Sequence, residues 1–140
     1  MQADHPHSQE LTRRQAVALL SALGLSADAV AQDAVATDPR SFRVLVDNAS
    51  VRVLEYRSRP GLGVCGQGMH YHPAHVTVSL NGAKLRKVEN GKEHFVEIPP
   101  GHVFFAEAET HAAEVIGGAN TRTYIVEIKG SGWRPSTGTA

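Results

Sequence analysis

From Phe42 onward, apolar and polar positions alternate in short runs rich in β-branched and aromatic residues, broken every few positions by Gly, Pro or Asn. That period of two, with closely spaced turn residues, predicts an all-β sandwich or barrel and no helix in this region. In residues 51–58, Val51, Val53 and Glu55 share one face and Arg52, Leu54 and Tyr56 the other, ahead of a stop at Pro60 and Gly61. Residues 76–80 run into Asn81-Gly82, and residues 83–88 run into Asn90-Gly91. Both dipeptides are type I′ hairpin signals, so a meander of two tandem hairpins is expected. A strand at 94–98 stops at Pro99-Pro100-Gly101, strands at 102–106 and 111–116 follow, and Gly117-Gly118 turns the chain again. The final strand, 121–129, sets Thr121, Thr123, Ile125 and Glu127 against Arg122, Tyr124, Val126 and Ile128. Apolar residues on both faces predict a central strand. About eight or nine strands in all fit a double-sheet jelly roll, a barrel able to hold a ligand in its mouth.

The first 37 residues differ from the rest. Arg13 and Arg14 precede a mildly apolar run from Ala16 to Ala27, which ends near an A-x-A triplet at Ala29, Val30 and Ala31. A positive segment, an apolar stretch too short to span a bilayer and a small-residue site is the order of a signal peptide. The segment resembles a twin-arginine export signal, which implies a periplasmic or exported protein with no membrane span in its mature form. Residues 1–37 are therefore expected to be a short helical signal and linker, cleaved after Ala31 or, second, after Ala36. The alternative is a cytoplasmic protein with an amphipathic N-terminal helix capped by Thr12. At the other end, residues 130–140 read as a flexible tail, with Trp133 either docking it or exposed.

A chain of 140 residues with 41% hydrophobic content suits one domain, placed here at 42–129. Its 14 basic and 14 acidic residues balance, and no basic stripe offers itself to phosphates, which argues against nucleic acid as a partner. Cys65 is the single cysteine, which excludes an internal disulfide and the cysteine-rich zinc frameworks. A metal in this chain must rest on histidines and carboxylates.

His70, His72 and His75 crowd one short stretch, and His111 follows about forty positions later. On an extended strand His70 and His72 leave the same face, so one ion can take both. His75 and His111 would complete an imidazole-rich site for a divalent transition metal, whether Fe, Mn, Ni, Cu or Zn. His94 and His102 lie beside turn residues and are expected on the surface, and Cys65 is expected in the core. Glu114, three beyond His111, should point to the opposite face. Glu55, Gln67 and Tyr71 are candidates for acid, base or hydrogen-bonding roles, with none singled out.

These residues resemble the first motif of small single-domain cupins, of the RmlC-like jelly-roll type, and among them the uncharacterised cupin proteins of β-alanine degradation type. The resemblance covers residues 42–129. Gly68, His70, His72 and Gly82 stand where that motif wants them, but its glutamate is missing and His75 stands in the corresponding place. Pro73 would bend the strand and turn His75 inward. The second motif fits either at Pro99-Pro100-Gly101, with Phe104 at the ligand position, or at residues 109–118, with His111 there. The latter keeps a metal-binding side chain and is preferred, leaving Val115 where the motif has Asn. The resemblance implies a metal-binding cupin, expected to act as a mononuclear non-haem oxygenase or dioxygenase on a small organic acid. Imidazoles leave the ion's charge uncompensated, which favours an anionic small-molecule ligand. A non-catalytic metal or small-ligand binder is the alternative. A sugar-type isomerase or epimerase is a further one, opposed by the lack of a paired acid and base. Jelly rolls of this size often pair through edge strands, so a homodimer is the default expectation.

Overall fold

The computed structural model describes residues 32–59, 68–116, 120–130 and 132–134. The chain divides into two units, Met1–Val30 and Ala31–Ala140, and all described residues belong to the second. The signal-like segment up to Ala31, Cys65, Gln67, and the Pro60-Gly61 and Gly117-Gly118 turns lie outside the described residues.

Among the described residues, ten strands and one short helix follow in order. They are β1 (Gln32–Asp33), α1 (Ala34–Thr37), β2 (Phe42–Asp47), β3 (Val51–Arg57), β4 (His70–His72), β5 (His75–Ser79), β6 (Ala83–Glu89), β7 (Lys92–Ile98), β8 (Val103–Ala106), β9 (Glu109–Val115) and β10 (Arg122–Ile128). They form two five-stranded sheets, ordered β1-β4-β9-β6-β7 and β2-β3-β10-β5-β8. This is the expected all-β jelly roll, and β10 is central in its sheet, as its two-sided apolar pattern predicts. The alternation also assigned the faces correctly. Leu54 and Tyr56 of β3 and Thr123, Ile125 and Glu127 of β10 are buried. Leu54, Tyr56 and Ile125 pack with Phe42 and Ala34 into one cluster. Full burial of Leu54 alone stabilises the fold by about 1.5–3 kcal/mol.

One turn differs from its sequence reading. Asn90 and Gly91 adopt φ of 50° and 71° and close the β6–β7 hairpin, as a type I′ turn should. Asn81-Gly82 closes no hairpin, because β5 and β6 belong to different sheets. Gly82 does take a positive φ, 81°, and a Cβ there would stand 3.1 Å from the carbonyl oxygen of Ile98. Its left-handed backbone carries the chain over the corner between the sheets. Asn81 ties that corner to the start of β10, accepting from Arg122 N at 2.7 Å. The dipeptide reports the backbone conformation but not the sheet the next strand joins.

The folded body also begins ahead of Phe42. β1 pairs in parallel with β4, Gln32 opposite His70 and Asp33 opposite Tyr71. Asp33 caps α1 by accepting from Val35 N at 3.1 Å, and Ala34 is fully buried. A two-residue strand and a single helical turn are too short to show a period, which is why the pattern starts at Phe42. At the C-terminal end, Trp133 lies under the Lys129 ammonium, 4.8 Å from the ring centre, and under the Arg52 guanidinium at 5.2 Å. The tail is therefore docked as far as Arg134, whose guanidinium covers Tyr71 at 3.9 Å.

Candidate metal centre

Because β4 is extended, His70 and His72 both project inward while Tyr71 projects out under Arg134. Antiparallel pairing with β9 sets His111 opposite His70 and Glu109 opposite His72. Strand register alone thus brings a histidine from forty residues away beside the first pair, with 4.8 Å between the ring centres of His70 and His111. One donor atom from each of His70, His72 and His111 lies within 4.8 Å of the others. A single ion can be shared at that spacing.

Each ring of the β4–β5 segment is held by its Nδ1. His70 donates to the Gly68 carbonyl at 3.1 Å, His72 to Glu127 Oε1 at 2.9 Å and His75 to the Pro73 carbonyl at 2.7 Å. These bonds fix the tautomer, so that Nε2 carries the lone pair on His70 and His72. Nε2 of His70 is buried and, among the described residues, has no hydrogen-bond partner. A buried basic nitrogen aimed at two other imidazoles is costly unless something electropositive satisfies it, and a cation does so. The donor set fits a divalent transition metal.

The electrostatics agree with ligation. Burial, then the neighbouring His72, depresses the His70 pKa to about 4. Burial likewise lowers His72 and His111, against the opposing pull of Glu127 and Glu109 respectively. All three are therefore neutral at pH 7, as metal binding requires. Burial would raise the pKa of Glu109, but His111 and the Lys87 ammonium outweigh it and hold Glu109 as a carboxylate. Glu109 Oε1 is 3.0 Å from His111 Nδ1, without the alignment of a hydrogen bond.

His75 stands beside this group and not in it. It is buried, with its ring 5.2 Å from that of His72, and its Nε2 is 3.8 Å from Glu109 Oε1. Held at Nδ1 by Pro73, it stands on β5 directly opposite Glu127 of β10. It lines the same cavity as the three histidines. His94 and His102 are exposed, as expected. Glu114 points outward to Arg86, with 2.6 Å between them. Glu55 is on the outer face, bound by Arg122 at 2.6 Å, Arg57 at 3.1 Å and Arg43 at 3.2 Å, and neither it nor Tyr71 lines the cavity.

Glu109 and Glu127 were not foreseen, although both left a signal. Glu109 is two residues before His111 and so shares its face. Glu127 falls on the buried face of β10, where an unpaired acid has no business. Behind Glu127 lies Arg52, which donates from Nε at 2.5 Å and from its other nitrogens to Asp33. Asp33, Arg52, Glu127 and His72 thus form one buried chain of charge-assisted contacts leading to the centre. Asp33 and Glu127 overcome the burial penalty on Arg52 and raise its pKa.

No protein-family model matches the chain, and no curated protein does. Among solved structures, it is similar to a cupin-domain protein of Bordetella pertussis Tohama I, with 19% identity, 64% of this chain and 92% of that one covered, and a TM-score of 0.52. It also aligns with the hydroxypropylphosphonic acid epoxidase of S. wedmorenis at 16% identity, covering 84% and 75% of the two chains with a TM-score of 0.47. A cupin-2 domain protein of Shewanella frigidimarina NCIMB 400 aligns at 12% identity, covering 64% and 81% with a TM-score of 0.41. The first likeness establishes the fold, which is that of a cupin.

Proposed function

We propose that this cupin fold is built around a mononuclear metal centre held by His70, His72 and His111, and that the protein is a non-haem oxygenase acting on a small organic acid. The observation that carries the reading is the unsatisfied, buried Nε2 of His70 facing two other neutral imidazoles. Three protein ligands leave positions open for substrate. A divalent ion there would supply Lewis acidity and, if iron, dioxygen chemistry. The chain's own part is to hold the rings in one tautomer, keep them neutral and enclose the ligand. Glu109, ionised beside His111 and paired with Lys87, adds negative charge next to the centre. His75 and Glu109 also support the second reading, a non-catalytic binder, since both stand close enough to fill positions that substrate would need.

Metal content separates these readings from no centre at all. Protein purified without a chelating tag should carry close to one transition ion per chain, and His72→Ala should lose most of it. Unchanged content in that variant would remove the proposal. Oxygen uptake on addition of Fe(II) and a panel of small carboxylates then distinguishes oxygenase from binder.

Export by the twin-arginine route belongs to the same proposal, supported by Arg13 and Arg14 ahead of the apolar run and the A-x-A triplet. Reporter release from a fusion to residues 1–37 should fall when Arg13 and Arg14 become Lys. Pairing of two copies is proposed as well. Its support is the outer face of the second sheet, where Val103 and Phe105 are more than half exposed.

A further inference from the structure

We infer that the ligand of this centre is a single-ring compound, or an aliphatic one of equal bulk, whose polar atoms are confined to a chelating oxygen head group turned toward the histidines. The inference rests on the metal-centre reading and narrows its organic acid to one with an uncharged, apolar body. The histidines occupy part of the wall of a cavity of ≈190 Å³. Much of the rest is apolar and comes from both sheets: Leu85, Val96 and Ile98 from one, Phe104 and Ile125 from the other. An apolar cavity of about 150 Å³ accepts benzene. The remaining roughly 40 Å³ leaves room for the head-group oxygens, since a water needs about 10–15 Å³ of such volume. A fused bicyclic body would have to project through the open side of the cavity.

Charge on the body is excluded by the wall. Among the described residues, the ionisable side chains lining the cavity apart from the histidines and Tyr56 are Lys87 and Glu109, and they are paired with each other. Lys87 is further held by Glu89 at 3.4 Å. No arginine is among the described lining residues, so a phosphate or a second carboxylate remote from the centre would be buried without a counter-charge. Of the wall hydroxyls, Thr121 Oγ1 already donates to the Gly82 carbonyl at 3.1 Å, while Tyr56, Thr77 and Thr123 line the cavity as well. The apolar wall and the lack of a second counter-charge argue against sugar phosphates and for an aromatic or branched body.

A hydroxamate series tests the inference with the chelating head held constant. The full chain is loaded with Co(II), its cobalt content is measured, and acetohydroxamate, benzohydroxamate, 4-carboxybenzohydroxamate and 2-naphthohydroxamate are titrated calorimetrically and by the cobalt visible spectrum. Benzohydroxamate should bind at least tenfold more tightly than each of the other three. Leu85→Trp should weaken benzohydroxamate at least tenfold while leaving cobalt content unchanged. If cobalt does not bind, the metal centre itself fails and the inference falls with it. If cobalt binds but the four ligands fall within threefold of one another, or a small or doubly charged one binds best, the ligand class alone is overturned. Should Leu85→Trp not fold, the ligand series decides by itself.

Discussion

Arg52 and Glu127 form an ion pair whose side chains are 7% and 0% exposed, and the carboxylate divides itself between Arg52 on one oxygen and His72 on the other. Glu127 is thereby unable to rotate without breaking a buried bond on each side. His72 inherits that immobility.

Glu127→Gln keeps the shape but puts an amide between two donors, Arg52 Nε and His72 Nδ1. One of them must lose its acceptor, and His72 loses its anionic partner. Metal affinity should fall about 10- to 100-fold, the usual effect of removing such a supporting carboxylate. Competition against a chromophoric chelator measures it, and wild-type affinity in the variant would show that Glu127 does not govern the centre.

The metal-free protein should lose stability as pH falls from about 6.5 toward 4. In that window the unfolded chain binds protons on His70, His72 and His111 that the folded chain refuses, because burial depresses all three. The sign follows directly, since stability rises with pH wherever the unfolded state holds more protons. Each histidine contributes a slope of roughly 1.4 kcal/mol per pH unit while it alone differs between the states. Urea midpoints from pH 7.5 to 4.5 give the slope, and a flat profile would contradict neutral buried rings.

A chain starting at Gln32 should melt like the full protein and bind metal as well, whereas one starting at Thr37 should not. The shorter chain lacks Asp33 and Ala34, and Arg52 keeps one carboxylate where it had two. Removing one partner of a buried ion pair costs about 3–5 kcal/mol. Thermal melts of both chains, with Asp33→Asn in the full chain, check this. Of the two expected processing sites, Ala31 leaves the network whole and Ala36 removes Asp33 from it.

Phe105 and Val103 of β8 are exposed beside Val76 and Val78 of β5, which pair in turn with Val126 and Tyr124 of β10. Sedimentation should find a dimer at micromolar concentration, and Phe105→Lys should shift it to monomer with metal content unchanged. A wild-type monomer at all concentrations would remove the pairing proposal.

Much of this was legible in the strands themselves. Alternation sorted β3 and β10 into correct faces, and the His-x-His spacing of His70 and His72 placed two ligands because strand geometry leaves no other option. The partner strand of β5 was not legible, since Asn81-Gly82 encodes a positive φ and not a destination. The Asp33–Arg52–Glu127 network was hidden for a related reason. Arg52 and Glu127 are register partners on neighbouring strands 75 residues apart, and Asp33, 19 residues before Arg52, reaches it from the other sheet, so neither contact leaves a local spacing to read. His75 fits the motif's ligand position, and the bond from its Nδ1 to Pro73 holds its ring 5.2 Å from that of His72, beside the other three histidines.

The Gly68 carbonyl and the Glu127 carboxylate hold the rings of His70 and His72 before any ion arrives. Two donors set in advance demand little rearrangement on loading, so in the proposed centre competing ions would be sorted by their inherent preference for imidazole and by the supply around the folding polypeptide.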